Sequence, residues 1–164
     1  MIFVTVGTHE QPFDRLLKCI DKMVAENKIN EKVIIQKGYT EYEPKNCESY
    51  KLISYEAMQK YIREARIIIT HGGPASFIMP LTIGKIPIVV PRKLEYSEHV
   101  NDHQVEFTEA VRERMNNIIV AKTEEEIIDS ILNYDKKIEV MSQNLQSNNE
   151  RFIEKLKMEV EELF

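Results

Sequence analysis

No run of apolar residues in this sequence approaches the roughly 20 that a membrane-spanning helix needs. The apolar opening, MIFVTV, is also too short for a signal segment, so membrane attachment is expected only through a surface or a partner. Cysteine is scarce. Cys19 and Cys47 make no disulfide or metal pattern, which points to a reducing, cytoplasmic setting. Basic charge is in deficit, 22 Lys and Arg against 27 Asp and Glu, and no basic run stands out, so a nucleic-acid surface is excluded. There is no Asp-x-Asp pair, so no carboxylate-held Mg²⁺ bridging phosphates is expected. Internal repeats and low-complexity segments are absent as well.

What remains is the composition of an ordinary globular protein, 43% hydrophobic and 30% charged, long enough at 164 residues for one domain with its own core. Its organising stretch is residues 67–104. Ile67, Ile68, Ile69 and Thr70 form a short β-branched run without alternation, as expected of a strand covered on both faces. Gly72 and Gly73 break that run, and Pro74 suits the first turn of a helix. Ile88, Val89 and Val90 make a second such strand, bracketed by Pro87 and Pro91.

Around this stretch, strand-like and helical patterns alternate. Strands are expected at residues 2–6, 33–35, 50–53 and 118–120, with residues 39–49 as a loop. Helices are expected at about 12–27, 55–64 and 104–114, and Thr123 with Glu126 forms a capping box opening another. The fold class is therefore α/β, a doubly wound parallel sheet of about six strands over residues 1–132. Residues 133–164 differ. Ile138, Met141, Leu145, Phe152, Leu156, Val160 and Leu163 trace a narrow apolar stripe along one long amphipathic helix, which either packs on its own sheet or docks a partner helix or membrane surface.

In a parallel sheet the turns after both central strands lie at the carboxyl edge, where open α/β folds bind ligands. Gly72 and Gly73 allow close backbone approach, the helix from Pro74 presents its positive end, and Ser76 adds a hydroxyl beside His71. That set suits a diphosphate held without a metal; a bare tight turn is the plainer alternative. After the neighbouring strand, Glu98, His99, Asp102, His103 and Gln104 offer the directed hydrogen bonds that a sugar needs. A zinc site from His99 and His103, four apart, lacks both a third ligand and the glutamate of the zincin pattern, Val100 standing in its place. A solvated loop capped at Asn101 or Asp102 is the other reading.

THGGPASFIMPLTIGKIPIVVPR followed by EHVNDHQ resembles the carboxyl-terminal, donor-binding domain of family 28 glycosyltransferases, and VTVGTHEQPFDRLL resembles that domain's first strand, loop and helix. The likeness covers about residues 1–132. It is nearest to small single-domain members: the catalytic subunit of the two-subunit N-acetylglucosaminyltransferase of lipid-linked oligosaccharide synthesis, and subunits of bacterial capsule and exopolysaccharide glycosyltransferases. It implies a Rossmann-like half of a GT-B enzyme that binds a UDP-sugar, its donor substrate, with no other cofactor. By position, Gly7, Thr8, His71, Gly72, Gly73 and Ser76 would meet the diphosphate. Glu98, Asp102, His103 and Gln104 would meet the sugar, and Tyr55 the uracil. Met79 departs from the pattern, because larger relatives carry a ribose-binding glutamate there; Asn101 stands where an acidic residue is common.

The implied activity is catalytic transfer of a hexose or N-acetylhexosamine to a lipid-linked sugar acceptor in polysaccharide biosynthesis, inverting and metal-independent. A membrane-anchored, acceptor-binding subunit is the implied partner, placing this chain at the inner face of the membrane. His9, at the first strand's tip and titratable near neutrality, is the candidate general base. A non-catalytic enhancer subunit and a nucleotide-sugar-binding module are the alternatives.

Overall fold

The computed structural model describes residues 1–142 and 149–163. Six parallel strands form one sheet in the order β3-β2-β1-β4-β5-β6: β1 Ile2–Thr5, β2 Val33–Gln36, β3 Glu48–Tyr50, β4 Ile67–His71, β5 Ile88–Val90 and β6 Ile119–Val120. Helices α1 Asp14–Ala25, α2 Tyr55–Glu64, α3 Pro74–Thr82, α4 His103–Met115 and α5 Glu124–Leu132 connect and follow them, then α6 Tyr134–Ser142 and α7 Asn149–Leu163.

The unalternating strands are buried on both faces, and their period-2 geometry sorts them into two cores. Ile2, Val4, Val33, Ile35, Ile67, Ile69, Ile88 and Val90 point to one face, where Leu16, Leu17 and Ile20 of α1 and Ile127 and Ile131 of α5 cover them. On the other face Phe3, Ile34 and Ile68 meet Ile62 of α2, while Val89 meets Phe77 and Leu81 of α3 and Val111 of α4. Each fully buried aliphatic side chain contributes about 1.5–3 kcal/mol to this arrangement. Met79 packs on the second core beside Phe3 and Ile62.

Local capping fixes the helix starts. Ser54 Oγ accepts the Ala57 N–H at 3.1 Å, and Thr123 Oγ1 accepts the Glu126 N–H at 3.2 Å. The Glu126 carboxylate reaches back to the Lys122 N–H, one residue before the amide that a capping box uses.

Two expectations shift. The third strand lies at Glu48–Tyr50, two residues earlier than its apolar content suggested, because the pairing of Glu48 with Ile34 on the sheet edge decides it. The expected carboxyl-terminal helix is two helices among the described residues, on opposite faces. Met141 of α6 joins the α1 side of the core, whereas Leu156 of α7, 3% exposed, joins Phe77 and Leu81 of α3. Leu145 lies outside the described residues, and of Phe152 and Leu163 only the helical backbone is described.

Candidate functional site

The strand order reverses between β1 and β4, and open α/β sheets bind their ligands at the carboxyl edge beside such a switch point. Gly7 and His9 follow β1, Gly72 and Gly73 follow β4, and residues 91–102 follow β5, next in the sheet.

His71 sits at the centre. Its ring, 9% exposed, lies between the two turns: a Cβ on Gly7 would stand 2.3 Å from Nε2, and one on Gly73 would stand 2.2 Å from Cε1. Hydrogen bonding fixes its tautomer. Gln104 Oε1 accepts the Gly72 and Arg92 N–H groups at 3.1 and 3.0 Å, which leaves the Gln104 amide nitrogen facing His71 Nδ1 at 3.4 Å. The Gly73 N–H also donates to Nδ1, at 3.0 Å. Nδ1 therefore carries the lone pair and Nε2 the proton, which is donated to Ser76 Oγ at 2.8 Å. Burial, and then the Arg92 charge, push the His71 pKa down to about 3, so the ring is neutral. The Ser76 oxygen accepts one imidazole N–H, and its own proton is left for another acceptor.

The Gly72 and Gly73 amides, expected at a diphosphate, are paired here with Gln104 and His71, so the turn is braced from within and these two side chains are its braces. Ser76 and the exposed Thr8 are the expected diphosphate residues whose side chains remain available.

Glu98 is also turned inward, 2% exposed. Its carboxylate accepts Arg15 Nε at 2.9 Å, a second Arg15 nitrogen at 3.1 Å and the Lys93 N–H at 3.0 Å. Expected at the sugar, it is paired here within the fold and anchors the β5–α4 loop. Asp102 and His103 stay exposed; Asp102 Oδ1 accepts the Leu94 N–H at 2.9 Å, and Asn101 Oδ1 accepts the His103 N–H at 3.1 Å. Tyr55, 63% exposed, begins α2 on the same edge, and its hydroxyl accepts from the Gln59 amide at 2.9 Å.

Sequence reasoning passed over Arg92. Its side chain is 1% exposed and meets no carboxylate among the described residues. It donates to the carbonyls of Gln11 at 2.7 Å, Glu98 at 3.1 Å and Val6 at 2.8 Å, and lies over the Phe13 ring. It thus ties the β1 turn to the β5–α4 loop and leaves a net positive charge beneath both. A single arginine after a strand carries no pattern by which it could have been found.

Arg92 brings His9 and His99 together, their ring centroids 4.7 Å apart. His99 lies ahead of α4, which begins at His103, so the two do not share a helix face as a zinc pair would. His9 Nδ1 accepts the Gln11 N–H at 3.3 Å, so the neutral ring carries its proton on Nε2. In this tautomer His9 is a donor, which runs against the expected general base.

The comparisons fit this geometry. Among the curated proteins, the human UDP-N-acetylglucosamine transferase subunit ALG13 is 32% identical over 116 residues, 65% of this chain and 10% of that protein. The chain thus spans about a tenth of that relative's length. Two solved structures share the fold: the glycosyltransferase SnogD from Streptomyces nogalater (TM-score 0.55, 14% identity, 97% of this chain and 42% of that one) and MurG from Acinetobacter baumannii (TM-score 0.56, 16% identity, 94% and 49%). Residues 1–160 match the glycosyltransferase family 28 C-terminal domain, and the chain belongs to that family.

Proposed function

We propose that this chain is the catalytic, donor-binding subunit of a two-subunit glycosyltransferase that moves a hexose or N-acetylhexosamine from a UDP-sugar to a lipid-linked acceptor. The observation that carries the reading is the meeting of the β1 and β4 turns at the switch point of the sheet, with the Ser76 hydroxyl oriented by His71 and the buried Arg92 charge behind it. An anionic diphosphate would gain from both, and fixed donors in a partly buried site stabilise a leaving phosphate without rearranging. Thr8 and Ser76 would meet the diphosphate, Asp102 and His103 the sugar, and Tyr55 the base. Transfer is with inversion and needs no metal.

The acceptor half and the membrane anchor belong to a second polypeptide, which would hold this chain at the cytoplasmic face. One observation supports that part: the relative ALG13 is itself described as a transferase subunit. The general base would come from that partner, since His9 presents an N–H.

The test is reconstitution with the product of a neighbouring gene, a panel of UDP-sugars and a lipid-diphosphate-linked sugar. Sugar transfer that is lost in Ser76→Ala is the expected result. No transfer with any donor, while UDP still binds, would leave the non-catalytic binding module as the better reading.

A further inference from the structure

His99 has no ligand assigned to it above, yet it stands against His9 between the β1 turn and the β5–α4 loop. The two rings are held alike. His9 Nδ1 accepts the Gln11 N–H at 3.3 Å and His99 Nδ1 accepts the Asn101 N–H at 3.4 Å, each from the amide two residues on. With both Nδ1 atoms committed as acceptors, both neutral rings carry Nε2–H. Among the described residues His9 Nε2 meets no hydrogen-bond partner, and the Asn101 side chain is the one further group that bonds the His99 ring. The backbone beneath is rigid, because Arg92 donates to the carbonyls of Gln11 and Glu98, in the loops that carry the two rings.

We infer that His9 and His99 form a two-imidazole clamp that donates both Nε2–H groups to the oxygens of a diphosphate. The inference rests on the nucleoside-diphosphate reading above and adds to it a ligand contact from the β5–α4 loop. The surroundings suit an anion. Arg92 stands behind the pair with Nε buried and unpartnered, and His71 and His103 are the further titratable groups beside it. The carboxylates near it are Glu10, on the β1 turn, and Glu98, which Arg15 already engages. Burial, then Arg92, then His99 hold the pKa of His9 below its ordinary value; burial, then Arg92, do the same for His99. Both rings are thus neutral donors at pH 7, and an anion between them reverses the balance, so binding takes up protons and strengthens as pH falls.

The experiment titrates inorganic pyrophosphate and UDP separately into the full chain by calorimetry at pH 6 and pH 7.5. Wild type is compared with His9→Ala, His99→Ala and the glutamine variants, whose amide N–H stands near the Nε2 position. The expected result is about ten-fold weaker binding in each alanine variant, recovery to within about three-fold in glutamine, and tighter wild-type binding at pH 6. Equal affinity of wild type and both alanine variants for UDP overturns the clamp and leaves the nucleotide reading standing. Histidine-dependent binding of pyrophosphate without binding of UDP supports the clamp and sinks the nucleotide reading. Binding of neither ligand to wild type overturns both. Should an alanine variant not fold, ring-nitrogen NMR of wild type decides: pyrophosphate must move the Nε2 resonances of His9 and His99, and unmoved resonances at saturation overturn the clamp.

Discussion

The imidazole of His71 occupies the space that any side chain at Gly7 would need, Nε2 standing 2.3 Å from where its Cβ would be. Gly7 also has φ +74°, a conformation costly for other residues. Gly7→Ala should therefore lower stability by roughly 2–4 kcal/mol, from backbone strain and from displacing a pinned ring. Gly84, at φ +75° with nothing within 4 Å of its Cβ direction, is the control. Gly84→Ala should cost only about 1 kcal/mol in the same urea titration. Equal losses would mean that the ring yields freely.

The Gln104 amide holds two buried backbone N–H groups. Gln104→Leu leaves both unpaired in the interior, and about 1–3 kcal/mol is expected for each. Gln104→Glu keeps the acceptor and loses the N–H facing His71, so it should retain more stability than the leucine variant. Thermal or urea unfolding of the three proteins at pH 7.5 checks the order.

The neutral, buried His71 makes stability depend on pH. Its folded pKa, about 3, lies below the ordinary histidine value, so the unfolded chain binds more protons between the two. Stability from this group is complete above about pH 6.5 and falls as pH drops toward 3, by about 1.4 kcal/mol per pH unit at most. His9 and His99, shifted the same way, add to the slope. Urea midpoints between pH 7 and pH 4.5 should decline in wild type and decline less in His71→Asn. A midpoint indifferent to pH over that range would mean the ring is not neutral and buried.

Glu98 separates an anchor from a sugar ligand. Removing the carboxylate strands the Arg15 guanidinium in a partly buried site, and Glu98→Ala should cost about 3–5 kcal/mol. Discrimination among UDP-sugars should not change in whatever activity survives at low temperature. A changed sugar preference with undiminished stability would return Glu98 to the sugar pocket.

The strands and most helices were legible because their signals are local. Ile67, Ile68 and Ile69 without alternation mean burial on both faces, and Thr123 three residues before Glu126 opens a helix whatever the rest of the chain does. The edge strand at Glu48–Tyr50 was misplaced because its residues take strand form from pairing with β2, with little apolar content of their own. The carboxyl-terminal stripe was legible as helix, but apolar spacing marks a helix's buried side and not which face of the sheet receives it.

The sequence by itself determined the doubly wound sheet and which residues gather at its carboxyl edge. Residue type and period are enough for that, because a parallel strand must be covered on both faces and its turns must emerge at the edge. Tertiary structure alone decided what each gathered residue does. Whether His71, Gln104 and Glu98 face a ligand or brace the backbone depends on which atoms their polar groups meet, and each has a partner far along the chain, 33, 32 and 83 residues away in turn. A buried hydrogen-bonding group must be paired wherever its partner lies in the chain, and no local pattern records that choice.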